Sequence, residues 1–167
     1  MLTSNIVDIT GPEHVRLMGP NGSGKTTFLN EVARGGVEYS VDCGYLRQKI
    51  TLPEDRTILE MVTEANPTAP PQLIRDQLAQ LLFRDDQVHR RTGLLSGGER
   101  FRAEFARVLL ADPSPQFLLL DEPTNNLDIT TIKWLVQILE SYKGAYLLVS
   151  HNEGFCKELS LTSQVHI

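Results

Sequence analysis

The chain has 167 residues, 41% of them hydrophobic and 22% charged, with a formal net charge of −5. That length admits one well-buried domain and excludes two ordinary ones. The acidic balance excludes a global pull toward nucleic acid, so an RNA contact would need a local basic patch.

No apolar run approaches the roughly 20 residues a membrane helix needs, and Met1 to Asn5 carry no basic segment leading into an apolar core. A soluble, cytoplasmic protein is expected, with Cys43 and Cys156 as buried or indifferent thiols because their spacing fits no metal site.

The chain opens with residues 5–10, which the Gly11-Pro12 turn predicts to pair with the next strand as a hairpin. Val15-Arg16-Leu17-Met18 is apolar-rich and stopped by Gly19-Pro20, the pattern of a buried strand. A helix follows from Thr26 to Ala33, then a strand over 41–46 that delivers Gln48 at its carboxyl end. From Leu52 to Thr92 the prolines at 53, 67, 70 and 71 cut the chain into short helices. Residues 57–65 and 72–83 are the candidates, the second with Leu78, Leu81 and Leu82 on one stripe.

Arg84, His89, Arg90 and Arg91 form a basic cluster diluted by Asp85 and Asp86, read as a solvated face before an RNA or partner contact. Phe101, Phe105, Val108 and Leu109 then recur at helical spacing, and Asp112-Pro113 ends that helix. A strand over 117–121 is followed by a helix burying Ile132, Leu135, Val136 and Leu139, in which Trp134 reads as packing. The apolar strand 145–149 places Ser150-His151 at its end, and 164–167 forms a last short strand. His14 and His166 read as surface residues. Strands written as unbroken apolar runs between helices predict a mostly parallel sheet covered on both faces.

Three segments carry chemistry. Gly19-Pro20-Asn21-Gly22-Ser23-Gly24-Lys25-Thr26 is a glycine-rich turn between a strand and a helix, offering free backbone N–H groups to a string of phosphate oxygens. Lys25 is placed to reach the β- and γ-phosphates, and the Thr26 hydroxyl to bind Mg²⁺. Thr27, next in the helix, joins the same phosphate contacts. Asp121 and Glu122 end an apolar strand, where parallel sheets bind their ligands. Asp121 would hold Mg²⁺ through water, and Glu122 would accept a proton from the attacking water. The third segment, Leu95-Ser96-Gly97-Gly98-Glu99, starts a second helix whose positive end favours an anion. The first loop already supplies this chain's own phosphate site, so Ser96, Gly97 and Gly98 make sense as contacts to a nucleotide bound by another copy.

The phosphate loop, Gln48, the LSGGE segment, the Asp121-Glu122 strand end and His151, in this order, resemble the ATP-binding-cassette (ABC) ATPases from about Ile6 to Ile167. The resemblance implies a P-loop α/β core with a helical subdomain and a truncated antiparallel β edge. It implies one domain over 1–167, with 1–51 and 94–167 as core and about 52–93 as the helical subdomain. ATP and Mg²⁺ are the implied cofactors, with Gln48 joining Thr26 and Asp121 at the metal and His151 touching the γ-phosphate. Asn125 to Asp128 would be the loop that crosses a head-to-tail dimer, closed by Asp128.

Asp121-Glu122-Pro123-Thr124-Asn125-Asn126-Leu127-Asp128 looks like the ABC-F subfamily, whose members act on ribosomes as translation factors or antibiotic-resistance proteins; transporter cassettes more typically read Ser-Ala at 125–126. Tyr45-Leu46-Arg47-Gln48 with Thr57-Ile58-Leu59-Glu60 resembles the second cassette of that subfamily's tandem pairs. The motor subunit of a membrane transporter is the alternative, and a nucleotide-gated scaffold with negligible turnover a third.

Three features depart from the pattern. Asn152 stands where aspartate is common. None of the 24 residues before Lys25 is Phe, Tyr or Trp, so the usual adenine-stacking aromatic is missing there. The tandem partner, linker and ribosome-reaching insertion are also missing, so the chain is expected to be one cassette of a longer protein, binding nucleotide weakly and hydrolysing it slowly by itself.

Overall fold

The structure is a computed structural model, and it describes residues 9, 11–35 and 41–167. The hairpin expected over 5–10, and with it the antiparallel edge, lies almost wholly outside the described residues. Among the described residues five strands form one sheet: β1 (His14–Met18), β2 (Cys43–Leu46), β3 (Phe117–Asp121), β4 (Ala145–Val149) and β5 (Ser163–His166). Their spatial order is β2-β3-β4-β1-β5, and every pairing among them is parallel.

Parallel strands buried on both faces need apolar side chains at every position, and β3 and β4 are buried at all five residues each. The strand alternation then divides the core in two. Val15, Leu17, Leu119, Leu147 and Val149 face Leu29 and Val32 of α1 (Lys25–Ala33). Leu118, Leu120, Tyr146 and Leu148 face the other helices. Of these, α5 (Gly97–Leu109) and α6 (Ile129–Ser141) are the longest, and α7 (Glu153–Glu158) is a short helix that the hydrophobic spacing does not announce.

Between β2 and α5 the chain makes a helical excursion of α2 (Ile58–Ala65), α3 (Pro71–Gln80) and α4 (Asp85–Val88). Its two ends are tied together. Thr57 bridges Arg91, the Thr92 hydroxyl donates to the Pro53 carbonyl, and the Thr92 and Gly93 amides donate to Arg56 and Glu54. Ile58, Met61, Ile74 and Leu78 share the core cluster of α5 and α6. Trp134 Nε1 donates to the Leu81 carbonyl at 3.0 Å, and its ring meets Phe101 and Phe105 edge-on.

Two expectations need correction. The helix expected over 72–83 ends at Gln80, and Leu82 leaves the stripe for solvent at 58% exposure. The Leu82 amide donates to Ala79 and the Phe83 amide to Leu78, with Leu82 at φ +62. This is a Schellman ending with leucine where glycine usually stands, so no glycine marks the stop. His14 is not a bare surface residue: its ring stacks on Tyr146 with centroids 4.2 Å apart, and its Nδ1 lies 3.2 Å from the Ser160 carbonyl.

Leu119 is fully buried in the central part of the sheet. Leu119→Ala should lower unfolding free energy by about 2–5 kcal/mol, whereas Thr57→Ala, which removes the half-buried cap of α2, should cost about 1 kcal/mol. Urea denaturation of the two variants checks this order.

Candidate nucleotide-binding site

Because the strands run parallel, the loops after β1, β2, β3 and β4 emerge on one edge of the sheet. They enclose a cavity of about 550 Å³ whose lining includes Asn21, Gly22, Gly24, Lys25, Thr26, Thr27, Gln48, Asp121, Glu122 and His151. Gly22 and Gly24 sit at φ +82 and +96, a region other residues enter only with strain. The resulting turn leaves the amides of Gly22, Gly24, Lys25, Thr26 and Thr27 without a backbone acceptor among the described residues. Gly19 serves closeness instead, since a Cβ there would lie 2.6 Å from the Ile167 carbonyl oxygen. Lys25 Nζ folds onto the carbonyls of Gly19 and Pro20 at 2.7 and 2.8 Å. Ser23 Oγ is buried without a partner among the described residues.

Asp121 is 1% exposed. Its carboxylate accepts from Thr26 Oγ1 at 3.3 Å and from the Tyr45 hydroxyl at 3.4 Å, and among the described residues it has no ion-pair partner. A buried carboxylate beside a threonine hydroxyl, uncompensated by Lys, Arg or His, is a donor set that fits a hydrated divalent cation. Burial first, and the Asp121 charge second, push the Tyr45 hydroxyl up to about 12, so it stays a neutral donor. Arg47 covers the Tyr45 ring at 4.5 Å. Sequence reading missed this role for Tyr45. The register Tyr45↔Leu119 holds the signal, because Asp121 lies two residues further along the same face of the neighbouring strand.

Glu122 takes φ +48, a left-handed backbone held by its amide N–H, which donates to the Val149 carbonyl at 2.8 Å. Its carboxylate accepts from the His151 amide at 3.3 Å and lies 3.4 Å from His151 Nε2. Asn152 caps α7 by accepting from the Phe155 amide at 3.0 Å, a task asparagine performs as well as aspartate.

The remaining candidates lie outside this cavity. Ser96 caps α5 in a reciprocal pair with Glu99, whose carboxylate also meets Arg90 Nη1 at 2.5 Å. These bonds, the Ser96 pair first, hold Glu99 below the usual carboxylate range. Asp128 caps α6 by accepting from the Thr131 amide at 2.8 Å. A Cβ on Gly98 would sit 2.6 Å from Thr131 Oγ1, so the two helix starts lie against each other. The molecule thus presents two groups: a phosphate loop with Gln48, Asp121, Glu122 and His151, and a separate pairing of Ser96-Gly97-Gly98 with Asp128.

The ABC transporter family profile matches residues 5–125. The chain belongs to the ABC transporter family. The cassette is 35% identical over 158 residues to ABC transporter F family member 5 of Arabidopsis thaliana, covering 88% of this chain and 22% of that protein. It is 34% identical over 145 residues to elongation factor 3B of Saccharomyces cerevisiae, covering 83% and 14%. It therefore spans less than a quarter of either relative. A dimeric bacterial ABC transporter cassette superposes with TM-score 0.73 over 95% of this chain and 85% of that one, at 21% identity. The fold is that of an ABC cassette, and the likeness to ABC-F proteins read from residues 121–128 agrees with the F-family relative.

Adding MgADP to the dilute cassette should shift the amide resonances of 22–27, Gln48, Glu122 and His151 and leave those of Ser96 to Gly98 in place. Equal shifts at both helix starts, measured by nuclear magnetic resonance, would contradict the separation of the two groups.

Proposed function

We propose that this cassette binds ATP at the phosphate loop and hydrolyses it when a second cassette closes over the site. The observation that carries this reading is the meeting of Glu122 and His151 beside the phosphate loop in one cavity, from which Ser96-Gly97-Gly98 is absent. The free amides of Gly22 and of 24–27, with the Lys25 ammonium, take the phosphates. Thr26 and Asp121, with Gln48 at the cavity wall, are the groups that would hold Mg²⁺, which neutralises charge on the phosphate oxygens. Glu122 accepts the proton of the attacking water, and His151, against it, reaches the γ-phosphate. Ser96, Gly97 and Gly98 serve the partner's nucleotide, and Asp128 closes the crossing loop. Leu94 and Ile129, 73% and 64% exposed beside those two helix starts, suit a face that becomes covered by a partner.

In this reading residues 1–167 form one domain, with 1–51 and 94–167 as its core and about 52–93 as a helical subdomain. The stapled ends of the excursion support that division. The F-family and elongation-factor relatives favour an ATP cycle on ribosomes, and hence a cytoplasmic place of work, over the motor of a membrane transporter.

Glu122→Gln should lower kcat by at least about 100-fold while ATP affinity stays within about twofold, because it removes the proton acceptor and leaves the phosphate loop intact. Turnover at the wild-type rate would overturn the role of Glu122. The same variant should sediment with ribosomes only when ATP is present; sedimentation without nucleotide dependence, or none, would favour the transporter reading.

A further inference from the structure

Arg16 is a buried charged residue of β1 that the site described above does not use. It lies in an inner strand between β4 and β5, with its side chain 6% exposed. Its neighbours Val15 and Leu17 join the α1 face of the sheet, so Arg16 points to the opposite face, under α7. There Nη2 donates to the Ser150 carbonyl at 2.9 Å and to Glu153 Oε1 at 2.5 Å, and Nη1 donates to Glu153 Oε2 at 3.3 Å. Nε is buried without a partner among the described residues.

A guanidinium in this position is costly to bury, and an apolar side chain of similar volume would often serve stability as well. What the guanidinium provides is geometry. Its planar fork fixes two points at once, and those points are the residue before His151 and the residue two after it. The turn between them is held further by the Asn152 amide, which donates to Ser150 Oγ at 3.2 Å. The His151 side chain is itself 56% exposed, so burial does little to hold it against Glu122. Its position derives from the turn that carries it.

We infer that Arg16 and Glu153 form a positioning pair that clamps the 150–153 turn from beneath and thereby sets His151 against Glu122. The inference rests on the role proposed for His151. Glu153 is the better handle for a test, because its side chain is 62% exposed and no core contact depends on it.

The test compares the 167-residue chain with Glu153→Gln, His151→Ala and the double variant, in ATP turnover, nucleotide affinity and thermal midpoint. Glu153→Gln should lower kcat about fivefold, a small share of what an ångström of misplacement can cost, with nucleotide affinity within about twofold. In the His151→Ala background it should cause no further loss, since contacts acting through one group are not additive. A second measurement needs no turnover. In the unliganded chain Glu122→Gln should displace the His151 ring resonances, and Glu153→Gln should at least halve that response. Full kcat in Glu153→Gln, losses that multiply in the double variant, or an undiminished ring response would each overturn the clamp. If His151→Ala itself turns over at the wild-type rate, the role of His151 falls and the clamp falls with it. Loss in His151→Ala with no effect of Glu153→Gln strikes the clamp alone.

Discussion

Parallel pairing of the strands is the constraint from which the rest of this molecule follows. Antiparallel neighbours would send successive loops to opposite edges. Here β1, β2, β3 and β4 all point the same way, so four loops that are far apart in sequence open side by side. The cost is that β3 and β4 have helices on both faces and must be apolar throughout. In these two strands the chemistry of the site is therefore confined to the residues where each stops. Asp121, Glu122, Ser150 and His151 stand at those stops, and the glycine turn stands at the stop of β1.

The electrostatics of that edge are incomplete in a consistent direction. Among the described residues Asp121 is a buried carboxylate that accepts from two hydroxyl groups, while the turn after β1 gathers amides without backbone acceptors. Acidic groups at one side of the cavity and amide donors at the other divide it into a side that suits a cation and a side that suits an anion. Glu122 adds a strained backbone at the boundary between them, and such strain persists only where the surroundings enforce it.

The strands and the phosphate loop were legible because their signals are local: a five-residue apolar run, a glycine turn, a proline stop. The helical excursion was legible in outline from its prolines, but the end of α3 was not, since Leu82 occupies a left-handed position without the glycine that would mark it. α7 is too short for periodicity to register and is set by the Asn152 cap. Tyr45 and Arg16 were hidden for a different reason. Each reads as an ordinary member of a strand until register shows which neighbour it faces, and register is a property of two strands together. The pairing of Gly98 with Thr131 and Asp128 likewise joins segments about thirty residues apart.

The sole tryptophan of the chain has a consequence of its own. Trp134 belongs to α6, touches two phenylalanines of α5 and bonds to a carbonyl at the end of α3. The indole therefore sits at the junction of the excursion and the sheet-bound helices. Any swing of one against the other must stretch that bond or admit water to the ring, which would redden its fluorescence. The molecule carries its own optical gauge of internal motion, with no dye to attach.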